Sequence, residues 1–235
     1  MNKKIMILGA GVIGSVYAVQ FSNAGYDVTV VARSKRLKEL LDKGLLYKES
    51  DKIHKANVKI ISNVEDNDKY DFILIAVRCN QIKAALDEVK NNVTENIITM
   101  VNTGLGYSQW ENIVGKGRII AAFPGAGGEI VDGVLHYKLT SPIIQKTTFG
   151  EASGRKPEVI SELKKIMKKS KIHYSHCRNM DAWQKSHLAM VTVLANGIYL
   201  DGGDNYTTSK NKKAIKYMCL ALKENYKALK KLQYP

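Results

Sequence analysis

The chain has 235 residues, 45% hydrophobic and 25% charged, with a formal net charge of +14. Its three cysteines, Cys79, Cys177 and Cys219, are an odd and widely spaced set, which argues against a disulfide framework and against a zinc site of clustered thiolates. No apolar run approaches the ~20 residues that span a bilayer, and Met1-Asn2-Lys3-Lys4 leads straight into an apolar segment without the pattern of a signal peptide. The expected compartment is therefore the cytosol, and the apolar fraction suffices for one large core or two modest ones.

In chain order, the first element is an apolar strand at Ile5-Met6-Ile7-Leu8, which opens into Gly9-Ala10-Gly11-Val12-Ile13-Gly14. A helix from about Ile13 to Asn23 follows, stops at Ala24-Gly25, and gives way to a second strand, Asp27-Val28-Thr29-Val30-Val31. A bare glycine triplet is a weak signal, but between a strand and a helix it is the dinucleotide-binding fingerprint. Gly9 makes the tight turn, Gly11 lets backbone approach a diphosphate, and Gly14 lets helix and strand pack closely. The diphosphate then meets a helix N-terminus.

The end of the second strand discriminates between nicotinamide cofactors, since a carboxylate there grips ribose hydroxyls and repels a 2′-phosphate. This chain has Ala32-Arg33-Ser34-Lys35-Arg36 instead. Arg33 falls where a planar guanidinium makes paired bonds to phosphate, which favours NADPH over NADH. The plainer reading, a solvated basic helix start, is preferred for Lys35 and Arg36.

Strand and helix then alternate, as a doubly wound sheet requires. Ile73 to Val77 reads as a fully buried strand, Gln81 to Lys90 as a helix, and Ile97 to Val101 as another strand ending at Asn102-Thr103-Gly104-Leu105-Gly106. Ligands sit beyond the carboxyl ends of such strands, which makes Arg78 and Asn102 candidates by position. Phe123-Pro124-Gly125-Ala126-Gly127-Gly128 reads as a loop able to close over a nicotinamide, or as a plain flexible turn. The segments 130–139 and 140–150 are expected to pair antiparallel, before a helix from Pro157 to Lys169 and a strand from Lys171 to Cys177. The His173-Tyr174-Ser175-His176-Cys177 run is read as strand packing rather than a metal site, because His176 points away from the face shared by His173 and Cys177.

Past a boundary placed near Arg178, Asn179-Met180-Asp181 starts a core helix that runs through Leu194. Lys185 is its odd residue. A lysine among Trp183, Leu188 and Ala189 is costly to bury unless its charge is used or paired, which leaves a catalytic lysine and a snorkelling or salt-bridged one as the two readings. From Asn205 onward, eight lysines face one acid, Glu224, which accounts for half of the net charge. Ile215, Met218, Cys219, Leu222, Tyr226 and Leu229 follow one helical face of that segment, so it reads as an amphipathic helix with solvated lysines and not as a nucleic-acid surface.

Taken together, these motifs resemble the ketopantoate reductases (2-dehydropantoate 2-reductases). The resemblance rests on Gly9 to Ser15, Arg33, Val77-Arg78-Cys79-Asn80-Gln81, Asn102 to Gly106, the strand pair around Asp132-Gly133, Thr148-Phe149-Gly150-Glu151, and Trp183-x-Lys185. It implies a Rossmann-type, mostly parallel α/β sheet that binds NADPH (1–178), followed by a small all-helical domain for substrate and dimerisation (179–235). It also implies reduction of a 2-oxo acid, ketopantoate to pantoate, on the route to pantothenate and coenzyme A. By the same resemblance Lys185 is the general acid, Asn102 sits near the nicotinamide ribose and substrate, and Arg33 and Arg78 hold the adenosine phosphate. The expected cofactor-binding set is Gly9, Ala10, Gly11, Val12, Ile13, Gly14, Arg33, Arg78, Gln81 and Asn102, with no metal.

The chain departs from the family pattern where asparagines hold substrate one and two turns after the lysine. Here those positions are Ala189 and Val193, with Thr192 and Asn196 on roughly the same side as possible substitutes, although Asn196 before Gly197 equally suits a helix end. No later serine segment or substrate-contacting glutamate of the family kind is recognisable, so the resemblance implies a shortened helical domain, an apolar face that a homodimer would cover, and a more open cleft. Three functions are carried forward: a ketopantoate reductase, a reductase of another 2-oxo acid, and a non-catalytic NADP-binding protein. The first two need Lys185; the third would bind cofactor without turnover.

Overall fold

Short apolar runs form the middle of one large sheet, because a strand covered on both faces must be apolar at every position. In the computed structural model, which describes residues 3–154 and 156–234, these runs are β1 (Lys4–Leu8), β2 (Asp27–Val31), β6 (Phe72–Ile75), β7 (Ile97–Thr99) and β8 (Ile119–Phe123). The remaining strands are β3 (Leu46–Glu49), β4 (Lys52–Lys55), β5 (Lys59–Ile61), β9 (Ala126–Val131), β10 (Val134–Leu139), β11 (Thr147–Glu151) and β12 (Tyr174–His176). The helices are α1 (Val12–Asn23), α2 (Ser34–Lys43), α3 (Ile82–Val89), α4 (Ser108–Val114), α5 (Pro157–Lys169), α6 (Met180–Leu200), α7 (Asn205–Thr208) and α8 (Lys212–Lys231). The chain divides into two units: Met1–Val101 with Tyr107–Met180, and Asn102–Gly106 with Asp181–Pro235.

The first unit is an α/β layer structure whose eight-stranded sheet runs β12-β11-β8-β7-β6-β1-β2-β5. All its pairings are parallel except β11 with β8. The chain moves outward from β1 in one direction through β2 and in the other through β6, so the order reverses at β1, and in such sheets that reversal opens the ligand crevice. Ile5 and Ile7 of β1 share a core with Tyr17 and Phe21 of α1 and with Leu163 and Met167 of α5. A second sheet, β4-β3-β10-β9, brings Leu135 and Tyr47 into that core, while Gln20 of α1 donates to the Tyr137 hydroxyl at 2.8 Å.

Two local expectations are corrected by this topology. Segments 130–139 and 140–150 do not pair with each other; β9 and β10 form the hairpin, with Val131 opposite Val134. Its two-residue turn is Asp132-Gly133, both at positive φ (51° and 85°), the conformation that suits the twist of a tight hairpin. Thr147–Glu151 instead crosses to the large sheet and pairs with β8. Nor is 123–128 a mobile glycine loop. Ala126 to Gly128 are already in β9, and the Gly125 N–H donates to the buried hydroxyls of Tyr17 (3.3 Å) and Thr147 (3.2 Å).

The second unit is helical. Asp204 caps α7 through Tyr206 and Thr207 N–H groups, and Asn211 caps α8 through Lys213 and Ala214, each supplying acceptors that helix starts lack. Asn225 Nδ2 ties α8 to the Ala189 carbonyl of α6 at 2.9 Å. The inward stripe of α8 is Ala214, Met218, Ala221, Leu222, Asn225 and Leu229, while Ile215, Cys219 and Tyr226 from the expected apolar face are exposed. Exposed apolar side chains also include Leu200 at 84% and Tyr217 at 60%. Among the described residues, no helix is long and apolar enough to cross a membrane.

Candidate functional site

In the first unit the carboxyl ends of β1 and β2 border a cavity of about 460 Å³, lined by Gly9, Ala10, Gly11, Ala32, Arg33, Arg36, Val77, Gln81 and Ile130 among others. The glycine loop shapes one wall, for reasons that differ residue by residue. Gly9 has φ +109°, and a Cβ there would lie 2.5 Å from the Ala76 carbonyl oxygen. At Gly14 a Cβ would lie 1.9 Å from the Gly9 oxygen, so side-chain absence is demanded by the protein's own packing. Gly11 is different: a Cβ there meets no protein atom within 4 Å. The space beside Gly11 belongs to the cavity, and Gly11 is also the N-cap of α1, with no side-chain cap on that helix start. Open space at a glycine plus uncapped helix N–H groups is the cradle an anionic diphosphate fits.

No carboxylate follows β2 directly. Arg33 is 61% exposed and ion-pairs through Nη2 with Glu88 Oε2 of α3. Arg36, read from the sequence as a solvated residue, is only 17% exposed. Its Nε donates to the Ala10 carbonyl at 3.2 Å and its Nη1 to the Gly133 carbonyl at 3.3 Å, so two carbonyls of tight turns draw it in along the cavity wall. Sequence reasoning missed it because one of those partners is nearly a hundred residues away.

The remaining expected cofactor residues are spread more widely. Gln81 lines the cavity, its Oε1 accepting from the Arg78 N–H at 3.4 Å across a single 3₁₀ turn, Cys79–Gln81. Arg78 itself is exposed and is not part of the lining. Val12 and Ile13 pack partly against the core, and Gly14 is a buried residue of α1. Asn102 falls in the second unit.

In that second unit Asn102–Gly106 lies against the start of α6: the Thr103 N–H donates to Gln184 Oε1 at 3.3 Å, and Gly104 faces the Leu188 side chain. Asn102 Oδ1 is shielded from solvent and has no hydrogen-bond partner. Lys185 Nζ donates to Asp181 Oδ1 at 2.6 Å and to the Tyr234 hydroxyl at 2.6 Å. That hydroxyl in turn donates to Asp181 Oδ2 at 3.0 Å, and the ammonium lies 4.4 Å from the Tyr234 ring centroid. Burial alone would lower the Lys185 pKa, but the bonds and charge of Asp181, with Tyr234, more than reverse this and raise it. Lys185 is therefore a paired, protonated lysine. The i,i+4 spacing of Asp181 and Lys185 was a legible signal for the pair; nothing in the sequence marked Tyr234.

Thr192 and Asn196 line a second cavity of about 620 Å³ between α6 and α8, which Val193 also borders and Ala189 does not. The Thr192 hydroxyl already donates to the Leu188 carbonyl at 2.7 Å. Lys185 does not line that cavity. Elsewhere, His176 Nε2 lies 3.1 Å from Glu151 Oε2. Burial opposes ionisation of Glu151, but backbone and His176 hydrogen bonds hold its pKa below the usual carboxylate range. Among the described residues no group of His, Cys, Asp or Glu is arranged to hold a metal ion.

Comparison with known proteins gives three findings. The family model described as "Ketopantoate reductase PanE/ApbA" matches residues 5–154. A 2-dehydropantoate 2-reductase of Pyrococcus horikoshii is 24% identical over 182 residues, 77% of this chain and 58% of that protein. The chain thus spans about three fifths of the length of the curated relatives it matches. Among solved structures, D-mandelate dehydrogenase with NADH and anilino(oxo)acetate superposes with a TM-score of 0.83 at 18% identity, covering 98% of this chain and 75% of that one. A putative 2-dehydropantoate 2-reductase from Enterococcus faecalis gives 0.68 at 22% identity, covering 83% and 63%. At these identities the structural matches establish the fold.

Proposed function

The chain belongs to the ketopantoate reductase PanE/ApbA family, and on that basis we propose that it reduces a 2-oxo acid to the 2-hydroxy acid with NADPH, ketopantoate being the first substrate to test. The observation that carries this reading is the open space beside Gly11 in a cavity that Arg33 and Arg36 also line, with no carboxylate directly after β2. In this reading the loop from Gly9 to Gly14 holds the diphosphate, Arg33 and Gln81 border the adenosine side, and Arg78 reaches it from the rim. Asn102 serves the nicotinamide ribose and substrate.

When bound, the nicotinamide supplies a hydride to the 2-oxo carbon. Lys185 is the proposed partner of the oxygen: as a cation it favours the developing alkoxide, and as an acid it delivers the proton that makes the hydroxyl. Its raised pKa keeps the proton in place at neutral pH. Asp181 and Tyr234 hold the ammonium in one position. The proposal also takes 1–178 as the cofactor part and 179–235 as the substrate part, places the reaction in pantothenate and coenzyme A formation in the cytosol, and has the exposed apolar residues of the second unit covered in a homodimer.

A second reading, reduction of a different 2-oxo acid, is favoured by Ala189 and Val193, which offer no hydrogen bond where the family resemblance calls for asparagines. The fold shared with D-mandelate dehydrogenase, whose structure holds anilino(oxo)acetate, keeps bulkier apolar oxo acids among the candidates. The deciding experiment follows NADPH absorbance with ketopantoate and with a panel of 2-oxo acids, alongside titrations of NADPH and NADH. Turnover with ketopantoate supports the first reading and turnover with another acid the second. Cofactor binding without any turnover overturns both in favour of a non-catalytic binding protein.

A further inference from the structure

We infer that the Tyr234 hydroxyl is a resident acceptor on the Lys185 ammonium that the oxygen of the 2-oxo acid displaces, so that Tyr234 sets substrate affinity and not the rate of proton transfer; the inference rests on Lys185 being the proton donor. The way α8 ends is what brings this hydroxyl to the lysine. After the last turn, Gln233 takes φ +63°, the Gln233 N–H donates to the Lys230 carbonyl at 3.1 Å, and the Tyr234 N–H reaches back to the Leu229 carbonyl at 3.0 Å. That pair of bonds around a left-handed residue is a Schellman cap, a position where glycine is usual and glutamine is held at a conformational cost. Earlier in α8, Asn225 Nδ2 donates to the Ala189 carbonyl at 2.9 Å and the Tyr226 hydroxyl to the Ser186 carbonyl at 3.3 Å. The second half of α8 is therefore tied to the part of α6 that carries Lys185, and the cap turns Tyr234 onto its ammonium.

An ammonium has three N–H donors and no acceptor. Those of Lys185 meet three oxygens: Asp181 Oδ1 at 2.6 Å, Asp181 Oδ2 at 2.5 Å and the Tyr234 hydroxyl at 2.6 Å. An incoming oxygen must take the place of one of them. The carboxylate is charged and sits one turn earlier in the same helix, so it stays. The phenol is neutral, and its own proton goes to Asp181 Oδ2 at 3.0 Å, which makes it the replaceable partner. A 2-oxo acid offers a carbonyl oxygen that gains negative charge as hydride adds to the neighbouring carbon, and a charge-assisted bond is roughly twice as strong as a neutral one. The Nζ–H bond then breaks as the O–H bond forms on that oxygen, and water returns a proton to the amine. Tyr234 takes no part in this transfer; displacing it draws on the binding energy of the substrate.

Tyr234→Phe isolates the hydroxyl, because the ring that stands 4.4 Å from the ammonium is kept. The N–H it frees bonds to water, which a substrate displaces more readily than a hydroxyl held by two partners. The test combines steady-state kinetics at saturating NADPH, with ketopantoate and a panel of 2-oxo acids, and calorimetric titration of oxamate, a 2-oxo acid isostere that accepts no hydride. Wild type, Tyr234→Phe, Lys185→Ala and the double variant are compared. Tyr234→Phe is expected to lower KM and the oxamate Kd by about two- to tenfold, the range of one net hydrogen bond, with kcat within about twofold of wild type. In the Lys185→Ala background the same change is expected to leave the oxamate Kd unaltered, since the competition is for that ammonium. An unchanged KM and Kd, or a kcat that falls by about tenfold or more as for a group on the proton path, overturns the inference and leaves Lys185 as the acid. A Lys185→Ala protein with wild-type kcat, or a wild type that turns over no 2-oxo acid, overturns the acid reading and the inference with it.

Discussion

Replacing Gly11 and Gly14 separately distinguishes a glycine kept for a ligand from one kept for packing. A Cβ at Gly11 meets nothing within 4 Å, and its φ of −74° and ψ of −170° suit any L-residue. Gly11→Ala loses about 0.5–1 kcal/mol because alanine is a poor N-cap, and regains about 0.4–1 kcal/mol by restricting the unfolded chain. These offset, so the melting temperature is expected to stay within about 2–4 °C of wild type. A methyl group in the cavity keeps a diphosphate off the loop N–H groups. Losing even one hydrogen bond to a charged group, about 1.5–3 kcal/mol, weakens NADPH by at least about tenfold. At Gly14 the new Cβ would sit 1.9 Å from the Gly9 oxygen, so backbone must move. Overpacking of that kind costs about 1–3 kcal/mol, which lowers the melting temperature by roughly 2–12 °C in a chain of this size. Thermal melts and fluorescence titration of NADPH on the two variants measure both effects. A Gly11→Ala protein that binds NADPH like wild type, or that melts as early as Gly14→Ala, refutes the reasoning.

Further outcomes follow from other contacts. Lys185→Ala should leave NADPH affinity within about threefold while removing most of the turnover, a loss of the 10²- to 10⁴-fold order typical of a general acid; an unchanged kcat dismisses this lysine. Because Lys185 acts as a cation, kcat should be flat through neutral pH and fall only as pH climbs through its raised pKa. Asp181→Asn removes the charge and weakens the hydrogen bonding that raise that pKa, so the alkaline limb of the kcat profile should move to lower pH; an unmoved limb contradicts the pairing argument. Glu88→Gln relieves Arg33 of its competitor, and a surface ion pair of at most ~1 kcal/mol predicts NADPH binding about two- to fivefold tighter by titration. Tyr17 is fully buried, its pKa pushed up to about 12 by that burial, and its hydroxyl lies 2.6 Å from Thr147 Oγ1. Tyr17→Phe removes that hydrogen bond and leaves Thr147 Oγ1 with the Gly125 N–H, at a cost of about 0.5–1.5 kcal/mol, which calorimetry should record as a fall of roughly 1–6 °C.

Local signals were enough for the strand–loop–helix–strand run from Lys4 to Val31, because apolar run length, glycine spacing and a terminal Gly25 act over a few neighbouring residues. They were also enough for the α/β class, since a strand buried on both faces shows its apolar continuity in the sequence itself. Pairing partners were not legible. The sequence pairs Thr147–Glu151 with the segment just before it, whereas the Asp132-Gly133 turn closes β9 on β10 and Thr147–Glu151 pairs with β8 and β12 of the large sheet. The state of a long charged side chain was equally hidden. Arg36 is drawn in by the carbonyls of Ala10 and Gly133 that tertiary folding delivers to it, while Lys35 stays exposed. Lys185 carried its Asp181 partner in its own helix, but Tyr234 reaches it from forty-nine residues away. Backbone conformation is set by near neighbours and can be read from them, whereas the pairing of a charge depends on which distant groups the fold brings within about 3 Å.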